Sequence, residues 1–187
     1  MRLRRIQDEF RDRVEVEWRS FLLRSRPDQG RTLEKFRTYT QSWMRPAADA
    51  DAGTFRVWQG DAGPPSHSVP PHLVAKAAAA LGRDAFEKMH ERLLHAYFAE
   101  NRDITDADTL AALWREAGLP EAEFVRTTDT ALGQETIAQH NEAIEHGVTG
   151  VPAVRMEGND AIIVGAQPLE LYRRWVQRTL NAMATST

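Results

Sequence analysis

Leu3, Ile6 and Phe10 recur at helical spacing with Arg and Asp residues on the opposite face, which predicts an amphipathic helix over residues 2 to 12. No Ser, Thr, Asp or Asn precedes it to accept the free amide protons of a first turn, so its start reads as cut. Val14, Val16 and Trp18 then alternate with Glu15, Glu17 and Arg19, the period of a half-buried strand, which Phe21 to Leu23 extend.

Residues 24 to 71 are rich in Pro and Gly, with one helix expected from Thr32 to Trp43. Trp43, Phe55 and Trp58 would be wasted in a tether, so the segment is expected to fold against the body. The pattern turns helical after Pro71. One helix runs from His72 to Leu81 and stops at Gly82. A second, capped by Asp84 with Glu87, carries Phe86, Met89, Leu93, Leu94, Tyr97 and Phe98. A third, capped by Thr105 with Asp108, stops at Gly118. A short helix follows Pro120, and a longer one runs from Asp129 to His146 with its stop at Gly147. Val151 to Met156 and Ala161 to Gly165 flank a turn and read as a β-hairpin; Pro168 opens a last helix whose Leu171, Tyr172, Trp175 and Leu180 face inward.

A chain of 187 residues fits one domain, or one domain with a large insertion. A net charge of −3 offers no electrostatic reason to expect nucleic acid. No apolar run reaches the roughly 18 residues of a membrane span, and the first residues lack a signal-peptide core, so the location is cytoplasmic by default. Zero cysteines exclude disulfides, thiolate metal sites and a cysteine nucleophile from this sequence.

The helix ending in Gly147-Val148-Thr149-Gly150-Val151-Pro152, the hairpin, the Gly165-Ala166-Gln167-Pro168 turn and the last helix resemble the C-terminal half of DsbA-like thioredoxin domains. That group includes 2-hydroxychromene-2-carboxylate isomerases, kappa-class glutathione transferases and FrnE-like dithiol oxidoreductases. Ala96 to Ile104 resembles the helical insertion of FrnE-like members. The resemblance implies an α/β, thioredoxin-like fold with a large all-helical insertion. The thioredoxin-like part would be residues 1–23 and 128–187, and the insertion residues 24–127.

In that family a strand, then a Cys-x-x-Cys or Ser-containing variant at the start of the first helix, opens the chain. Neither is present here, so the fold is expected to be N-terminally truncated, with its first central strand missing. Deleting that strand would leave its neighbours roughly 9 to 10 Å apart with unpaired amides. Each unsatisfied group costs on the order of 1 to 3 kcal/mol. The sheet then closes up with altered pairing, or another chain supplies the strand, or residues lie upstream of Met1; the last is preferred.

The resemblance also implies that the Val151–Pro152 bond is cis and that Gly150, Val151 and Pro152 bind the backbone of a peptide or of glutathione, as a short extra strand would. The loop Gly63 to His72 is a second candidate, with Ser66 and His67 as hydrogen-bonding partners for a substrate, although such loops are more often structural. Trp58 is either a groove aromatic or core, and core unless exposed. His90 and His95 sit some 140° apart around a helix at about 100° per residue, and His140 and His146 lack a third ligand, so no metal is expected. Glu100 to Asp103 read as a capping and ion-pair cluster.

Three functions remain. The resemblance implies a thiol-disulfide oxidoreductase, inactive without redox cysteines, so no catalytic residue is assigned. The alternatives are a glutathione-dependent isomerase or transferase, and a redox-inactive peptide- or partner-binding module. The implied partners are a peptide, a thiol or a glutathione-linked small molecule, with a homodimer left open. No resident cofactor is implied; glutathione is the possible cosubstrate.

Overall fold

Ile6 and Phe10 are buried one turn apart on helix α1 (Arg2–Phe10), as their spacing requires. A computed structural model describes residues 2–28, 30–49, 51–157 and 159–185. It divides into two compact units: residues 1–19 with 143–187, and residues 20–142.

In the first unit α1 passes into a 3₁₀ turn, Arg11–Arg13. Strands β1 (Ala153–Met156) and β2 (Asn159–Val164) form an antiparallel hairpin, with Val154 opposite Ile163 and an irregularity between Arg155 and Met156. Helix α8 (Leu169–Thr185) follows Pro168, whose carbonyl accepts the Leu171 amide at 3.0 Å. Ile6, Phe10, Tyr172 and Val176 form the core, with Val154 and Ile163 against it. Leu171 and Trp175 are only half-buried and, with Ile163, Arg174 and Arg178, line an open cavity of about 320 Å³.

The expected strand at Val14 to Trp18 needs correction. Val14, Val16 and Trp18 are half-buried and Glu15, Glu17 and Arg19 exposed, so the alternation is present. Among the described residues, however, β1 and β2 pair only with each other. Two-residue alternation follows from extended backbone alone, whereas a strand needs a neighbour about 4.8 Å away. The Val16 amide donates instead to Gln7 Oε1 at 3.2 Å. The α/β expectation narrows accordingly to a largely helical chain with one small sheet.

The second unit is helical. Thr32 caps α2 (Leu33–Thr40), its hydroxyl accepting the Lys35 amide. The single helix expected to Trp43 breaks into a 3₁₀ turn, Gln41–Trp43, and the short α3 (Met44–Ala47). Helix α4 (Val69–Ala79) starts earlier than expected, because prolines are tolerated in a first turn where amides have no intrahelical acceptor. Helices α5 (Arg83–Phe98) and α6 (Ala107–Glu116) also differ at their caps. Gly82, at φ 117°, caps α5, and Asp84 falls inside the first turn. Asp106, not Thr105, caps α6, accepting the Thr109 amide at 2.8 Å. A 3₁₀ segment, Glu121–Thr128, leads to α7 (Thr130–Glu145).

Val74, Ala77, Met89, Leu93, Leu113 and Trp114 build one core between α4, α5 and α6. Phe36, Trp43 and Trp58 build another, with Phe55, Tyr97 and Phe98 against it. Trp43 and Trp58 are therefore core residues, with Phe55 packed against them.

Candidate functional site

Helix α7 ends in a paired turn that launches the first candidate loop. The Gly147 amide donates to the Ile144 carbonyl at 2.8 Å and the Val148 amide to Ala143 at 2.9 Å, with Gly147 at φ 80°. This is the glycine-terminated helix end in which the left-handed residue costs no Cβ clash. Beyond it Val151 is 47% exposed, Pro152 is exposed, and the bond between them is cis. The Gly165 amide donates to the Pro152 carbonyl at 2.8 Å, tying the loop to the end of β2. Gly150 has open space where a Cβ would stand. Val151 and Pro152 thus stand exposed to solvent beside the half-buried Gly150.

Ser66 and His67 lie in the other unit. Ser66 Oγ is 2.9 Å from His67 Nδ1, and the Ser66 amide donates to Thr105 Oγ1 at 3.3 Å. Thr105 in turn donates its hydroxyl to Asp103 Oδ1 at 2.6 Å. A hydrogen-bonded chain therefore runs from the Asp103 carboxylate through Thr105 to Ser66 and His67. Nothing in the sequence links Thr105 and Asp103 to this loop, because partners 39 residues apart carry no shared local pattern. Trp58 is fully buried, its indole N–H donating to the Ala62 carbonyl at 3.2 Å, so it stands in the core.

Other candidate groups from the sequence are engaged structurally. Glu100 pairs with Arg92 and His95, and Arg102 with Glu116 at 2.9 Å. His90 stacks on Phe86 with centroids 5.2 Å apart, and His140 Nδ1 accepts the Leu22 amide. Burial, aided by the Lys76 charge, pushes the His72 imidazole down to about 4. Among the described residues no three His, Asp or Glu side chains gather as a metal site, and no helix is long and apolar enough to cross a membrane.

A family model described as the DSBA-like thioredoxin domain matches residues 1–177. The chain belongs to that family. Among solved structures, a candidate protein disulfide isomerase from Nitrosomonas europaea is 17% identical, with a TM-score of 0.73 over 97% of this chain and 89% of that one. The cytosolic disulfide reductase DsbM from Pseudomonas aeruginosa is 18% identical, with a TM-score of 0.71 over 97% and 91% of the two chains. The same reductase with glutathione gives 0.72 over 96% and 91%, at 18% identity. At these identities the likeness shows the fold. No curated protein matches.

Disulfide exchange begins with a thiolate, and none of these 187 residues is a cysteine.

Proposed function

We propose that this DSBA-like chain binds a thiol-bearing peptide of the glutathione class along Gly150, Val151 and Pro152, and does not itself exchange disulfides. The observation that carries this reading is an exposed Val151 beside open space at Gly150, in a sequence without cysteine. An extended peptide docks on such exposed backbone by main-chain hydrogen bonds, which need no reactive side chain. The glutathione present with the similar reductase, and the cytosolic location of that protein, support the ligand class and a cytoplasmic setting.

The test is amide spectroscopy with millimolar glutathione, alongside a disulfide reductase assay. Perturbed Gly150 and Val151 resonances with no reductase activity are expected. Reductase activity from the 187-residue chain, or an unperturbed loop, would overturn the reading. The names of the similar structures favour a second reading, thiol-disulfide oxidoreductase, which requires thiolates from outside this sequence.

A further inference from the structure

Arg31 precedes α2 and lies over the aromatic cluster of the helical unit. Its Cζ is 3.9 Å from the Phe36 ring centroid and 5.9 Å from that of Tyr39. Nη1 donates to the carbonyl of the buried Pro65 at 3.1 Å, and the Tyr97 phenol lies close enough to interact with its charge. The guanidinium is therefore held by an apolar floor and a main-chain carbonyl.

The neighbouring arginines have counter-ions. Arg24 pairs with Asp28 at 3.0 Å and Arg37 with Asp61 at 3.0 Å. Arg31 forms no ion pair among the described residues, although desolvation opposes its charge and Arg24 repels it. A cation held against apolar surface is normally paired, because a lone charge there forfeits hydration without a return. Of the five guanidinium N–H donors, the Pro65 carbonyl occupies only part. Tyr39 is 56% exposed, so this side of the cluster is open to solvent.

We propose that Arg31, with the Tyr97 hydroxyl beside it and Phe36 beneath it, is a binding site for the carboxylate of a small organic acid. A planar carboxylate matches the planar two-donor edge of one guanidinium, whereas a phosphate dianion calls for more positive charge than a single unpaired arginine supplies. Arg24 cannot add to it fully, since Asp28 already neutralises its charge. The site is independent of the glutathione reading, because all its parts lie within residues 20–142.

Sodium succinate is the probe, titrated into the full chain at ionic strength held constant with sodium chloride. Tryptophan fluorescence reports binding, since the Phe36 and Trp58 rings are 5.0 Å apart in the same cluster. The Arg31 Nε resonance of isotope-labelled protein reports the place. Saturable binding that moves this resonance is expected, with affinity falling roughly tenfold or more in Arg31→Gln. Tyr97→Phe keeps the ring and its packing, removes only the hydroxyl, and should weaken binding several-fold; it decides the matter if Arg31→Gln fails to fold. No saturable binding, an unmoved Arg31 resonance, or unchanged affinity in either folded variant would overturn the proposal. Tighter binding of inorganic phosphate than of succinate at that resonance would overturn the carboxylate assignment.

Discussion

The Leu22 amide donates to Nδ1 of His140 at 3.2 Å, so a backbone group that a strand ladder would have used is satisfied by an imidazole. Two residues earlier the Ser20 amide goes to Gln139 Oε1 at 2.8 Å. Side chains of α7 thus take the place of a neighbouring strand at Ser20 and Leu22. Backbone polar groups that leave water must find partners of some kind, and here the partners include titratable ones.

His72 sets the first expectation. Burial, with Lys76 and His140 adding positive charge, holds it at about 4 in the folded chain, against about 6.5 when unfolded. Between these values the unfolded state binds more protons, so stability falls as pH drops through that window and is unaffected by His72 above it. The loss approaches about 3 kcal/mol at the foot of the window. Urea midpoints measured across it should show this slope, and His72→Gln, which stays polar but does not titrate, should flatten it. Equal slopes in the two proteins would contradict the assignment.

The elements legible from sequence are those whose signal is local. Ile6 and Phe10 mark a helix face by spacing alone, and Gly118 and Gly147 mark helix ends because each adopts a positive φ that other residues avoid. Val151-Pro152 was legible for the same reason, since its motif is contiguous. The strand at Val14 to Trp18 was not, because pairing depends on a neighbour the alternation cannot reveal. Thr105 looked like a helix cap, yet its hydroxyl is held by Asp103 and the next residue caps instead. Arg31 carried no sequence signal at all; its character comes from Phe36, Pro65 and Tyr97 converging on it.

Thr40 tests how the aromatic core is held. It is fully buried, its hydroxyl accepting the Trp58 amide at 3.0 Å and donating to the Arg37 carbonyl at 2.9 Å. Thr40→Val preserves shape but strands the Trp58 amide, which should cost roughly 1 to 3 kcal/mol. Thr40→Ser retains the bond and loses one methyl, about 0.8 kcal/mol. Chemical denaturation should rank the serine variant as the more stable of the two.

Gly60 and Gly133 make a contrasting pair. A Cβ on Gly60 would stand 2.9 Å from the Asn101 carbonyl oxygen, a backbone atom that cannot rotate away. The loop cannot retreat cheaply either, because the Gln59 amide is bound to Asn101 Oδ1 at 2.9 Å and the Arg56 amide to the Phe98 carbonyl at 2.8 Å. Gly60→Ala should cost roughly 1 to 3 kcal/mol and speed hydrogen exchange at Gln59. Gly133 lies inside α7 with open space at its Cβ position, so Gly133→Ala should stabilise by roughly 0.4 to 1 kcal/mol. Opposite signs in the two thermal melts are the expected result.

Gly150 separates folding from binding at the proposed ligand loop. Apart from its own chain neighbours no heavy atom lies within 4 Å of its Cβ position, so Gly150→Val should melt close to the unaltered chain. The added side chain would stand where a peptide must approach the Val151 backbone, and main-chain hydrogen bonds tolerate little displacement. Glutathione-induced amide shifts at Val151 should therefore diminish sharply in a variant of unchanged stability. Full-strength shifts in Gly150→Val would show that glutathione, if bound, does not lie along this backbone, whereas a lowered melting temperature would show that the loop is packed more tightly than its open surroundings imply.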